Sequence, residues 1–197
     1  MIPMEPQFSY PHPVTLVGAA PLAADLLRFA LNFAPKAIAA DGGVNHLRAL
    51  GVDPLAVIGD MDSVALEHQQ LWERNLFFPI AEQDSTDFEK SLTRLAAPMI
   101  FGVGFLGGRF DHALAAQTVL VRYPDRKCIL LGSEDIVFLA PPRLSLDLPL
   151  ETRLSLFPMA PVKILSEGLY WPTHGLTFQP DGQVGTSNKV SGLLRLQ

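Results

Sequence analysis

One cysteine, no cluster of basic residues and no apolar run of membrane length set the first limits on this 197-residue chain. A lone thiol cannot make an internal disulfide. Its place in the run Cys128-Ile129-Leu130-Leu131 reads as a buried strand position rather than a nucleophile. The five histidines (His12, His46, His68, His112, His174) lack the close pairing of a zinc site. A formal net charge of -5 without a Lys/Arg patch argues against a nucleic-acid partner, because affinity for a phosphate backbone comes mostly from basic side chains. No stretch reaches the roughly 18 apolar residues that a membrane span needs. Prolines stand at positions 3, 6, 11 and 13, and neither the basic start nor the apolar centre of a signal peptide is seen, so a cytoplasmic protein is expected. No Gly-x-x-x-x-Gly-Lys-Ser/Thr occurs, which excludes a Walker-type phosphate loop.

What is present suits a globular protein with a substantial core: 48% hydrophobic and 18% charged residues. After an irregular arm over residues 1–12, apolar runs alternate with helical periodicity. Strands are expected at 14–17, 36–40, 55–59, 77–80 and 99–103. A helix over 21–33 carries Leu22, Leu26, Phe29, Ala30 and Phe33 on its apolar face. Thr86 and Glu89 have the form of a capping box ahead of Phe88, Leu92 and Leu95, leaving Asp87, Lys90 and Ser91 off the apolar stripe. A last helix runs from about residue 113 to 122. Such alternation predicts an α/β domain with a mostly parallel sheet and crossover helices. Beyond residue 125 short runs such as Leu144-Ser145-Leu146-Asp147-Leu148 repeat with period two between Pro, Gly and Asp, which predicts an all-β sandwich. The boundary is placed near residue 125, giving domains 1–125 and 126–197.

The stretch Ala56-Val57-Ile58-Gly59-Asp60-Met61-Asp62-Ser63 ends a buried strand in two closely spaced carboxylates. Taken alone, it could be a turn. Parallel strands, however, would bring four loops to one sheet edge: Asp41 with Gly42-Gly43, Asp60/Asp62, Gln83 to Asp87, and Gly107 to Asp111. That edge then holds Asp41, Asp60, Asp62, Asp84, Asp87 and Asp111, half of the twelve aspartates in the chain. So many like charges imply a bound cation, and hard divalent ions such as Mg²⁺ favour carboxylate oxygens and phosphates. The glycine pairs are either tight turns or places where backbone N–H groups approach phosphates. Arg109 is either a bidentate phosphate contact or the partner of Asp111 in a surface ion pair.

Together the segments Ala40-Asp41-Gly42-Gly43-Val44-Asn45, Gly59-Asp60-Met61-Asp62-Ser63, Gln83-Asp84-Ser85-Thr86-Asp87-Phe88-Glu89-Lys90, Gly107-Gly108-Arg109-Phe110-Asp111-His112 and Gly185-Thr186-Ser187-Asn188 resemble the thiamine pyrophosphokinase family. The resemblance implies transfer of a pyrophosphoryl group from ATP to the hydroxyl of thiamine, giving thiamine diphosphate and AMP with Mg²⁺. It also implies that Asp60, Asp62 and Asp87 hold the metal. Asp41, Gly42, Gly43, Asn45, Gly108, Arg109 and Asp111 would serve ATP, with Gln83 and Asp84 where thiamine and phosphate meet. Homodimers are implied, with a thiamine site at the subunit interface where Ser187 and Asn188 face the aminopyrimidine. Asp87 or Asp84 would accept the alcohol proton. Trp171 reads as sandwich packing, with Tyr170 or Trp171 the alternative stacking aromatics. Replacing Asp60 or Asp62 by Asn is expected to abolish turnover and leave the fold intact or more stable.

Three rivals come from other readings. The first is a pyrophosphokinase for a different alcohol, such as a hydroxymethyl-dihydropterin. The second is a haloacid-dehalogenase-like phosphatase, suggested by Asp60-Met61-Asp62-Ser63-Val64, although no later lysine and acidic pair completes that site. The third is a sensor that binds nucleotide or thiamine without turnover.

Overall fold

Apolar runs, most of them stopping at glycine or aspartate, become the strands of one seven-stranded sheet in the computed structural model, which describes residues 6–64 and 74–197. In chain order the first elements are β1 (Phe8–Ser9), β2 (Val14–Val17), α1 (Ala24–Phe33), β3 (Lys36–Ala40), α2 (Val44–Ala49), β4 (Ala56–Gly59) and β5 (Phe77–Pro79). Then follow α3 (Asp87–Arg94), β6 (Leu95–Ala96), β7 (Ile100–Val103), α4 (Phe110–Arg122), β8 (Cys128–Leu131) and β9 (Ile136–Phe138). The large sheet has the order β5-β4-β3-β2-β7-β8-β9. Every neighbouring pair in it is parallel except β8 and β9.

Strand pleating sorts these side chains onto two buried faces. Leu16, Ile38, Ala40, Ala56 and Ile58 meet Phe88, Leu92 and Leu95 from α3 and its end, and Ala116, Val119 and Leu120 from α4. The alternate residues Val17, Ala37, Ala39 and Val57 meet Leu27 and Ala30 of α1 and Val44 and Leu47 of α2. Each fully buried Leu or Ile contributes roughly 1.5–3 kcal/mol. Thr15, the polar exception in β2, donates its hydroxyl to the Ala34 carbonyl at 2.7 Å and so ties the strand to the end of α1.

Four details differ from the sequence reading. Phe29 and Phe33 are exposed and stack edge-on against one another at 5.0 Å, because Leu27 and Ala30 take the sheet-facing side of α1. The stretch expected to be an irregular arm contributes a strand, since β1 pairs in parallel with β6; residues 1–5 of it lie outside the described residues. Thr86 does cap α3, accepting from the Glu89 N–H at 3.3 Å, but the Glu89 carboxylate turns away to Arg122 and Tyr123. Lys90 and Ser91 are buried rather than outside the packed face.

The chain divides into units Met1–Leu139 and Ala140–Gln197. The boundary therefore lies beyond the expected residue 125. β8 adds to β7 in parallel and β9 folds back on β8, so both complete the large sheet. In the second unit the strands are β10 (Leu144–Leu146), β11 (Arg153–Leu156), β12 (Val162–Lys163), β13 (Ser166–Leu169), β14 (Thr177–Phe178) and β15 (Gly185–Leu196). The long β15 pairs antiparallel with β10, β11 and β13, and β12 pairs with β14. Leu169, Leu194 and Leu196 centre its core, with Leu144, Leu146, Leu154 and Leu156 packed around them.

Cys128 is buried in β8, and desolvation pushes its thiol up to about 12. At about pH 8 the native protein is expected to resist iodoacetamide and to be labelled only in denaturant, as mass spectrometry would show. No helix among the described residues is long and apolar enough to cross a membrane.

Candidate active site

The chain leaves β2 towards β3, β4 and β5 on one side and returns to β7 on the other, so the strand order reverses at β2. In open parallel sheets ligands bind beyond the strand ends at such a point. Here the loops are packed closely. The Gly18 N–H donates to Val103 O at 2.8 Å and the Ala20 N–H to Gly104 O at 3.0 Å. A 3₁₀ turn, Asp41–Gly43, follows β3 directly. It passes so near β2 that a Cβ on Gly43 would lie 1.9 Å from the Val17 carbonyl oxygen. His46 of α2 joins the same region through Nε2, 3.1 Å from the Ala20 carbonyl oxygen.

Asp41, Asp60 and Asp62 converge at this edge, each offering a carboxylate oxygen within 4.8 Å of the others. Asp41 is 2% exposed, and its Oδ1 has no hydrogen-bond partner among the described residues. Its backbone has a φ of 44°, and Met61, between the other two aspartates, has a φ of 66°. Such conformations are uncommon for residues other than glycine and cluster at functional sites. Burial pushes the Asp41 pKa up, and the nearby Asp87 and Asp60 charges add to that, against the Ser63 hydroxyl and Gly42 N–H. Three hard oxygen donors, one of them buried and unsatisfied, suit a divalent cation of the Mg²⁺ type. The third carboxylate of this group is Asp41; the family resemblance names Asp87 beside Asp60 and Asp62.

Asp87, at the start of α3, is joined to this group through a lysine. Lys90 Nζ lies 3.3 Å from Asp60 Oδ2 and 3.3 Å from Asp87 Oδ1. Burial works against the Asp60 charge, but the Asp62 N–H, the Gln83 amide (3.2 Å) and Lys90 outweigh it and hold the pKa down. At Asp87 burial wins over Lys90, and the pKa is raised. Burial also opposes the Lys90 charge, yet Asp87 and Asp60 keep that ammonium above its usual value.

The remaining predicted residues fall into three groups. Gln83 reaches Asp60, whereas the exposed Asp84 is fixed by its backbone N–H, which donates to Glu82 Oε2 at 2.9 Å. Asn45 gives its side-chain amide to the Ser63 carbonyl at 3.3 Å, tying α2 to the loop after β4. Gly42 and Gly43 are buried at the turn, and Gly108 has a φ of 64° in the loop before α4. Arg109 and Asp111 form the exposed bidentate pair, at 3.2 and 2.6 Å. The Arg109 hydrogen bonds hold the Asp111 pKa down.

Ser187 and Asn188 lie on β15. Ser187 has a φ of 58°, and its N–H donates to Ser155 Oγ at 3.1 Å. Asn188 is buried and uses its amide on the main chain. Its Nδ2 donates to Trp171 O at 2.7 Å, and its Oδ1 accepts from Trp171 N–H and Lys189 N–H. Trp171 is 52% exposed and meets Tyr170 edge-on at 4.7 Å, so it is not the packed residue expected from its type. Asn188 thus fixes the Trp171 main chain.

Sequence reasoning missed two contributors. Lys90 carries no periodic signal, since a polar residue beside an apolar stripe reads as solvent-facing. Glu82 accepts from the Asp84 N–H, the Ser85 N–H and the Ser85 hydroxyl, and so shapes the loop ahead of α3. A Glu three residues before Ser was the available sign.

Residues 28–131 match the family model described as "Thiamin pyrophosphokinase, catalytic domain". Thiamine pyrophosphokinase 2 of Arabidopsis thaliana is 28% identical over 156 residues, covering 70% of this chain and 58% of the relative's length. Thiamin pyrophosphokinase 1 of Caenorhabditis elegans is 30% identical over 181 residues, covering 81% of this chain and 73% of that protein. The solved Candida albicans thiamin pyrophosphokinase superposes with a TM-score of 0.77 at 18% identity, over 94% of this chain and 84% of that one. For the Bacillus subtilis structure the values are 0.70 and 21%, over 93% and 97%. The structural likeness gives the fold. With the family model spanning more than half of the sequence, the chain belongs to the thiamin pyrophosphokinase family.

Proposed function

We propose that the protein is a thiamine pyrophosphokinase that moves the β,γ-diphosphoryl group of ATP to the hydroxyl of thiamine and releases AMP. The observation carrying this reading is the meeting of Asp41, Asp60 and Asp62 oxygens within 4.8 Å at the reversal of strand order. Asp41, Asp60 and Asp62 would hold Mg²⁺, which supplies positive charge to offset that of the ATP phosphates. Gly42, Gly43 and Gly108 would let backbone N–H groups approach the phosphates, with Arg109, aligned by Asp111, as a guanidinium contact.

The thiamine hydroxyl oxygen bonds to the β-phosphorus as the bond from that phosphorus to the α–β bridging oxygen breaks, and AMP carries that oxygen away. The alcohol proton passes to Asp87, whose burial raises its pKa and makes it a stronger base. Gln83 and Lys90 fix Asp60, and Asp84 sits on the loop between them. Alignment and charge neutralisation are the main demands of such a transfer, and these residues with the metal would supply both. The antiparallel unit would be a sandwich through which two copies pair. Ser187 and Asn188, with the Tyr170–Trp171 edge that Asn188 holds, would then complete the thiamine site at the subunit interface. The enzyme would act in the cytoplasm.

The test is incubation with ATP, Mg²⁺ and thiamine, counting AMP and thiamine diphosphate. One AMP per thiamine diphosphate is expected, and none in excess EDTA. AMP formed only with another alcohol, phosphate-ester hydrolysis without an acceptor, or binding of both ligands without AMP would each overturn the proposal.

A further inference from the structure

Lysine is almost never fully buried unless its charge is paired. Lys90 is 2% exposed, and its ammonium stands between two carboxylates from different parts of the chain. Asp60 arrives from the end of β4, 30 residues upstream of Lys90, and Asp87 from the preceding turn of α3. Around this point four aspartates gather, because Asp41 and Asp62 converge with Asp60, and Lys90 bridges Asp60 to Asp87. Coulomb repulsion among partly desolvated carboxylates would spread the loops apart. An ammonium is a compact point charge, which suits a position between two carboxylates better than a planar guanidinium fork.

We propose that Lys90 is a positioning residue, the resident cation that holds Asp60 and Asp87 together and keeps the carboxylate cluster assembled before a divalent ion arrives. The inference deepens the cation reading given above. Lys90 and the divalent ion meet at Asp60 and share one task, neutralising the same carboxylate cluster. Removing the lysine should therefore make the fold lean more heavily on the metal. A lysine that only filled space would not produce that coupling.

The experiment measures thermal unfolding of the full chain in EDTA and in saturating Mg²⁺, for wild type, Lys90→Met, Lys90→Gln and Lys90→Met with Asp87→Asn. Met keeps the length and apolar stem without the charge, and Gln keeps a donor without the charge. In EDTA, Lys90→Met and Lys90→Gln are expected to melt about 5 °C or more below wild type, the scale for exposing unpaired carboxylates in a chain of this size. The rise in melting temperature on adding Mg²⁺ should be at least about twice that of wild type, as expected when a ligand takes over a lost cation's role. Asp87→Asn in the Met background should recover about half of the EDTA loss, since one of the unpaired charges is then gone.

Equal losses in EDTA and Mg²⁺, with no recovery from Asp87→Asn, would make Lys90 a packing residue and overturn the proposal. So would a Lys90→Gln protein indistinguishable from wild type. If Lys90→Met is unfolded in EDTA, refolding on Mg²⁺ or on adding Asp87→Asn supports the role, and failure of both refutes it. A wild type that does not respond to Mg²⁺ would defeat the cation reading. The EDTA comparison and the Asp87→Asn recovery would still judge Lys90.

Discussion

Asp60→Asn is expected to lower AMP formation by about 10³-fold or more, because losing several kcal/mol of charge stabilisation costs about a factor of ten for every 1.4 kcal/mol. It should also lower stability, against the sequence-based expectation that removing a repelling charge is neutral or favourable. Asp60 accepts from the Asp62 N–H, the Gln83 amide and Lys90, so an amide there loses acceptors and can set a donor against the ammonium. With Asp60 mostly buried, a loss of about 1–2 kcal/mol follows, corresponding to about 2–8 °C in melting temperature. Asp62→Asn is the contrasting case. Asp62 is exposed and accepts from the Ser63 hydroxyl at 2.8 Å, so activity should fall by a similar factor with little change in stability. Steady-state AMP release and melting curves in EDTA check both. Activity within tenfold of wild type in either variant would remove that aspartate from the cation site.

Gly43→Ala should damage the whole switch-point region. The added methyl would sit 1.9 Å from the Val17 carbonyl oxygen and 2.6 Å from its carbon, both main-chain atoms that cannot swing aside. The 3₁₀ turn and β2 must separate, which disturbs Asp41 and the start of α2 together. A cost of about 3 kcal/mol, or roughly 6–12 °C in melting temperature, is expected, with AMP formation falling further than stability alone explains. Gly107→Ala is the control: a Cβ there meets nothing within 4 Å, although its φ of 89° still strains the backbone. A Gly43→Ala protein with unchanged melting temperature would contradict the described approach of these two elements.

Much of the first unit was legible because its signals are local and repeated. Strands ending in Gly or Asp, followed by helical periodicity, implied a parallel sheet, and a parallel sheet implies that its loops share an edge. That inference placed Asp41, Asp60, Asp62, Asp84, Asp87 and Asp111 at one edge without coordinates. Asp41, Asp60 and Asp62 do converge and Lys90 joins Asp87 to them, whereas Asp84 is held at Glu82 and Asp111 at Arg109. The sequence could not say which oxygens converge, because Asp41 faces its partners through an unusual φ of 44°, which no periodicity encodes. The boundary was misplaced for a related reason. Cys128–Leu131 reads as a buried strand whether its neighbour is parallel or antiparallel, and only the crossing of α4 puts it beside β7. Phe29 and Phe33 show the limit of apolar spacing, since both fit a helical stripe and both face solvent. In the second unit the alternation of Val190, Leu194 and Leu196 was available, but Gly192 and Asn188 hid a single long strand.

That strand has a consequence for biosynthesis. β10, β11 and β13 each find their partner in residues 185–196, so none of them can complete its ladder while the ribosome has made only the preceding segment. The large sheet can close as soon as residue 138 has emerged, but the leucine-rich segment behind it must wait in the open. During translation that interval, rather than any weakness in the finished molecule, is when the nascent polypeptide is most exposed to mispairing and to chaperone capture.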